Sequence, residues 1–139
     1  MQRSQYGARE IGSEPVRILI ADDDARVRHG LRALIESQRG WTVVGEAVDG
    51  PDVLQLDRTL EADVIVLDIR LPDAHDGLEL LRHLAGEKRR SVLAISVRGG
   101  LGEAALAAGA RAFVEKGDTD ALLSALHRVI VGRNDPVSR

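Results

Sequence analysis

Cysteine is absent from the 139 residues, which excludes disulfides, thiol nucleophiles and cysteine–zinc sites. One Trp, one Tyr and one Phe make up 2% of the chain, so the core must be built from Leu, Val, Ile and Ala. The same scarcity removes the ring platforms on which single-stranded nucleic acids stack. Lysine is nearly as rare: of 19 basic residues, only Lys88 and Lys116 are lysines. With a formal charge of −3, the chain carries no basic stripe of the kind that binds DNA. No apolar run approaches the roughly 20 residues of a membrane helix. Met1 to Glu14 is polar and lacks the apolar segment of a secretory signal. These absences lead to the expectation of a soluble cytoplasmic protein with no membrane contact. Residues 1–15 read as a disordered leader, 16–131 as one domain, and 132–139 as a polar tail or linker stub.

What is present is a set of short apolar runs, four of which end on residues suited to handling phosphate. Arg17-Ile18-Leu19-Ile20-Ala21 ends on Asp22-Asp23-Asp24, and Asp63-Val64-Ile65-Val66-Leu67 ends on Asp68. Ser91-Val92-Leu93-Ala94-Ile95 ends on Ser96, and Arg111-Ala112-Phe113-Val114-Glu115 ends on Lys116. With Trp41 to Glu46 they give five strands that alternate with helical stretches. Expected helices cover about Ala25–Gln38, a segment from Pro51 to Leu60, Gly77–Ala85, Glu103–Ala108, and a stretch after Gly117 capped by Asp118. Gly99, Gly100 and Gly102 read as a loose loop, and Lys88-Arg89-Arg90 as a solvated one. This order predicts an α/β fold, a five-stranded parallel sheet with helices on both faces.

Ligands of such sheets sit at the carboxyl edge of the strands. That edge would gather carboxylates, a hydroxyl and an ammonium into one pocket, a combination suited to transferring phosphate to an aspartate. The acidic run also has a plainer reading, as helix capping. Other chemistries find less support. No Gly-Lys-Ser/Thr follows the glycines, and Ser96 lacks a Gly-x-Ser-x-Gly setting. His29, His75, His83 and His127 lack metal-ligand spacing. A phosphatase with an aspartyl nucleophile would place an acid two residues after it, where Arg70 stands.

The anchors Ile20-Ala21-Asp22-Asp23-Asp24, Val66-Leu67-Asp68-Ile69-Arg70-Leu71-Pro72, Ala94-Ile95-Ser96 and Ala108 to Gly117 together resemble the receiver domain of two-component response regulators. The likeness spans roughly Val16 to Ile130. It implies a flavodoxin-like doubly wound (βα)5 fold with strand order 2-1-3-4-5. It also implies that Asp68 is the phosphoacceptor, supplied by a histidine kinase or phosphotransfer protein in a phosphorelay. Asp22, Asp23 and Asp68, with the backbone carbonyl of Arg70, would hold Mg²⁺. Lys116 would pair with a phosphoryl oxygen, and Ser96 and Phe113 would switch. Such a chain is a signalling switch rather than an enzyme, limited to Mg²⁺-dependent self-phosphorylation and autodephosphorylation.

The expected readout is a changed surface on the fourth helix, fifth strand and fifth helix, which would drive homodimerisation or release of an output domain. Gly117 after Lys116, and the Asp68-Ile69-Arg70-Leu71-Pro72 stretch, resemble the subgroup with helix-turn-helix outputs. Transcriptional control, with DNA met only through an output domain absent from this chain, is the implied role. The chain departs from the common pattern in three further places. The segment from Asp68 to Gly77 is one residue longer than usual, and that from Ser96 to Lys116 about two residues shorter. Val97 stands where a small residue is typical, and its branched side chain is expected to narrow the approach to Asp68. These departures motivate the alternative of a receiver-like interaction module that works without phosphorylation.

Overall fold

The computed structural model describes residues 14–71, 74–97 and 99–133. Most of the expected leader, Pro72–Asp73, the His75 side chain and the tail beyond Arg133 lie outside the described residues. Five strands form one parallel sheet: β1 (Val16–Ala21), β2 (Trp41–Ala47), β3 (Val64–Asp68), β4 (Val92–Ser96) and β5 (Ala112–Glu115). Their order is β2-β1-β3-β4-β5. The α-helices are α1 (Ala25–Glu36), α2 (Gly50–Leu60), α3 (Ala74–Arg82), α4 (Gly102–Ala107) and α5 (Thr119–Gly132).

Side-chain alternation along each strand divides the core into two layers. Leu19, Ala21, Ile65, Leu67, Val92 and Ala94 face one side, where Val53, Leu81, Leu84 and Ala105 from α2, α3, the turn after α3 and α4 cover them. Ile18, Ile20, Val64, Val66, Leu93 and Ile95 face the other, under Ile35 of α1 and Leu122, Leu126 and Val129 of α5. Every residue of β3 and β4 is buried, as befits central strands sandwiched between helices. Asp24, Asp49 and Asp118 cap α1, α2 and α5 by accepting from the backbone N–H of Arg26, Asp52 and Ala121.

The α-helical part of α3 begins three residues before its expected start. Gly77 lies inside the helix because the helix backbone rests directly on the Ile69 carbonyl, where any Cβ would collide with that oxygen. After Arg82 the helix widens into a π-helical turn, His83–Glu87. The expected loose loop at Gly99–Gly102 is instead a 3-10 turn, Gly99–Leu101, that feeds into α4. Gly102 belongs to that helix, and a Cβ there would press to 3.2 Å from Cδ2 of Phe113. The helix α5 runs to Gly132, one residue past the expected domain end.

The reading of Lys88-Arg89-Arg90 as solvated fails for Arg90. Its Nε and Nη2 donate to Oδ1 and Oδ2 of Asp57, at 2.7 and 3.2 Å. Asp57, on α2, is completely buried. A bidentate guanidinium–carboxylate pair thus ties α2 to the segment leading into β4.

Replacing Gly77 by Ala is expected to lower the unfolding free energy by about 2 kcal/mol, the usual scale for forcing an atom into a filled core. Urea denaturation would show a lower midpoint with an unchanged slope.

Candidate functional site

The sheet ladder ends on β1 at Ala21, and the chain turns through three acids. The N–H of Asp22 donates to the Ala47 carbonyl at 3.1 Å, which extends the grip of β2 one residue past the strand. This leaves Asp22 wholly buried. Its Oδ1 accepts the Asp24 N–H at 2.9 Å. Asp23, between them, is exposed. Asp68 closes β3, is 4% exposed, and its Oδ1 accepts the Arg70 N–H at 3.0 Å. One oxygen from each of Asp22, Asp23 and Asp68 lies within 4.8 Å of the others. Among the described residues, no other group of His, Asp or Glu forms such a cluster.

Lys116 reaches this cluster from the end of β5. Its backbone N–H donates to the Ser96 carbonyl at 2.8 Å, which fixes where the side chain starts. Its Nζ lies 3.0 Å from Oδ2 of Asp68, as a hydrogen bond, and 2.6 Å from Oδ2 of Asp22. Both contacts are charge-assisted, so one ammonium is shared between the two buried carboxylates.

The charges are unbalanced. Three carboxylates face one ammonium, an excess of two negative charges in a partly buried space. Burial pushes the Asp22 carboxyl above the ordinary carboxylate range, although the Lys116 ammonium and the Asp24 N–H pull the other way. Burial alone would lower the Lys116 ammonium, but Asp22 and Asp68 together outweigh it and raise it, so the lysine stays charged. Hard oxygens and a net negative charge are the donor set that a small divalent cation requires.

Ser96 ends β4 fully buried, and its Oγ has no hydrogen-bond partner among the described residues. A buried hydroxyl without a partner is costly. Phe113 is set apart from the acids: it lies on β5, half-buried, with its ring against Gly102 at the start of α4. Arg70 is exposed in the turn after β3, and Val97 is 63% exposed. An apolar cleft of about 260 Å³ flanks Lys116 between α1 and the start of α5, with Val27, Leu31, Leu34 and Leu122 among its walls. Of the described histidines, His29 is exposed on α1, His83 pairs with Glu87, and His127 packs on Trp41 with ring centroids 4.7 Å apart.

Two residues beside the site went unnoticed in the sequence. Arg28 of α1 donates through Nη1 to the Asp22 carbonyl at 2.8 Å and through Nε to Glu46 of β2 at 3.1 Å. The available signal was Arg28 and Arg32, four apart on one helix face, opposite a lone acid near the end of the second strand.

A family model described as the response regulator receiver domain matches residues 18–127. A protein-glutamate methylesterase/protein-glutamine glutaminase from Myxococcus xanthus is 42% identical over 106 residues, covering 73% of this chain and 30% of that protein. The chain spans well under half the length of the curated relatives it matches. Among solved structures, a LuxR-family two-component response regulator from Aurantimonas sp. superposes with a TM-score of 0.77 at 32% identity. That match covers 86% of this chain and 88% of the other. The response regulator domain of Thermotoga maritima CheB gives a TM-score of 0.75 at 28% identity, over 85% and 98% of the two chains.

Proposed function

The chain belongs to the response regulator receiver domain family, and on that premise we propose that it takes a phosphoryl group onto Asp68 from a phosphohistidine of a histidine kinase or phosphotransfer protein. The observation that carries this reading is the Lys116 ammonium, held between Asp22 and Asp68 at the edge of a three-carboxylate cluster. Receiver domains generally bind Mg²⁺ at an acidic pocket, and the donor set here fits that ion. Asp22, Asp23 and Asp68, with the Arg70 carbonyl, would hold it. When bound it neutralises phosphoryl oxygens and aligns the acceptor.

The protein's own groups do the rest. An Asp68 carboxylate oxygen bonds to phosphorus as the phosphorus–nitrogen bond breaks, and the leaving imidazole keeps the electron pair and takes up a proton. Lys116 supplies a point charge to one phosphoryl oxygen. Ser96, whose Oγ has no other partner among the described residues, donates to another. The apolar cleft beside Lys116 gives a partner helix a surface to bury while its phosphohistidine reaches Asp68.

The readout follows from pairing within the sheet. Ser96 pairs with Glu115 on β5, two residues from Phe113, and the Phe113 ring supports the first turn of α4. A shift of Ser96 toward phosphate moves that support, so the α4–β5–α5 surface changes. The surface would serve homodimerisation or release of a transcriptional output domain in the cytoplasm, with 16–131 as the switching unit.

The test is Mg²⁺ with acetyl phosphate, read as a mass gain of one phosphoryl group, and with beryllofluoride, read by amide shifts. No response to either, under conditions where other receivers respond, would remove the reading. Ser96→Ala is expected to leave the unmodified fold at least as stable as wild type, because the lost hydroxyl made no bond and its burial was a cost. The same variant should lose the beryllofluoride-induced shifts on α4 and β5.

A further inference from the structure

The β1–α1 turn carries two of the three clustered carboxylates, and its first residue is gripped at every polar group. The Asp22 N–H goes to Ala47 of β2, Oδ1 to the Asp24 N–H, and Oδ2 lies against Lys116. The remaining group is the carbonyl. The sheet ladder has ended by then, and the carbonyl is met by the Arg28 guanidinium at 2.8 Å. Arg28 is itself anchored by Glu46, which stands in register with Ile20, two residues before Asp22. Both side chains are largely shielded, at 16% and 23% exposure. The end of β2 therefore holds Asp22 twice, directly at its N–H and through Glu46 and Arg28 at its carbonyl.

We propose that Arg28, oriented by Glu46, is a positioning residue for the acidic cluster, fixing the Asp22 peptide so that Asp22 and Asp23 present their carboxylates together. The claim rests on the reading of that cluster as a cation site. Groups behind a metal's direct ligands commonly govern affinity tenfold or more, by orienting those ligands and tuning their basicity.

Arg32 supplies the internal control. It also bonds Glu46, at 2.7 Å, and its other partner is Glu36 on the same helix, at 3.3 Å. Glu46 is held below its ordinary pKa by Arg32 first and by Arg28 as well, after allowance for burial. Removing either arginine therefore leaves Glu46 with a cationic partner. Only the loss of Arg28 frees the Asp22 carbonyl.

The experiment compares wild type, Arg28→Ala, Arg28→Lys and Arg32→Ala by calorimetric titration with Mg²⁺ and by hydrogen exchange at the Asp24 amide. That amide bonds Oδ1 of Asp22 and so reports turn order without a metal. Arg28→Ala is expected to weaken Mg²⁺ binding roughly tenfold and speed Asp24 exchange, while Arg32→Ala changes neither. Arg28→Lys, a cation without the fork, should recover only part of the loss. Equal Mg²⁺ affinity in Arg28→Ala and wild type overturns the proposal. Should Arg28→Ala fail to fold, partial loss in Arg28→Lys against none in Arg32→Ala supports it, and equal values overturn it. If wild type binds no Mg²⁺, the cation-site reading falls; Asp24 exchange then decides the clamp, overturned if Arg28→Ala matches Arg32→Ala and supported if it alone exchanges faster.

Discussion

Asp68→Asn should abolish acetyl phosphate modification, with no mass gain over hours in which wild type becomes phosphorylated. Asn is nearly the same size as Asp, so packing at the end of β3 changes little. Its amide oxygen can still accept the Arg70 N–H that Oδ1 of Asp68 accepts now. What disappears is the negative nucleophile, and no neighbour replaces it. Asp22 is buried with Lys116 against its Oδ2, and Asp23 lies in the β1–α1 turn rather than at the end of β3. The variant also reduces the charge excess of the cluster from two to one. Its thermal midpoint should therefore hold or rise, although Lys116 loses one ion-pair partner. Unaltered or higher stability together with lost modification separates a chemical effect from unfolding. A phosphorylated Asp68→Asn chain would place the acceptor elsewhere.

The outline of this site was legible because each of its parts lies where a strand stops. Strand ends are set by burial, and an apolar run that meets Asp22, Asp68 or Lys116 must surface there. The carboxyl ends of β1 and β5, capping of α1 from the acidic run, the Asp118 cap and the strand order all agree with the sequence reading. The same logic explains what was missed. In the sequence Gly77 marks a helix start, yet its place is set by the Ile69 backbone eight residues earlier. That contact exists only once β3 and α3 are assembled. Gly102 likewise marks a loop there, although it makes room for Phe113 from the next strand. Arg28, Glu46, Asp57 and Arg90 look like ordinary surface charges in one dimension. Each pair joins residues far apart in sequence, 18 apart for Arg28 and Glu46 and 33 apart for Asp57 and Arg90. Asp57 did leave a trace: it stands four residues after the buried Val53, at a position where the apolar stripe of α2 should continue.

That trace leads to the largest stability effect expected of any substitution discussed. Arg90→Ala should cost about 3 kcal/mol, the low end of the range for stripping one partner from a buried pair. The low end applies because Arg90 is 33% exposed, so water already shares its charge. Asp57 has no such relief at 0% exposure, and without Arg90 its buried carboxylate loses its cationic partner. The reverse change should be milder. In Asp57→Ala the guanidinium that remains can turn to solvent, and the cost is mainly the small cavity. Replacing both at once, Asp57→Leu with Arg90→Met, should restore much of the loss, because an apolar pair removes the desolvation burden altogether. Urea denaturation of wild type, Asp57→Ala, Arg90→Ala and the Asp57→Ala/Arg90→Ala double variant forms a double-mutant cycle, with a strongly favourable coupling expected between the two sites. Additive losses would mean that the pair contributes no more than two independent side chains. Arg90 precedes β4, at the opposite end of that strand from Ser96. Phosphoryl acceptance at Asp68, measured below the unfolding transition, should therefore survive in the single variants, which separates support of the scaffold from chemistry at the site.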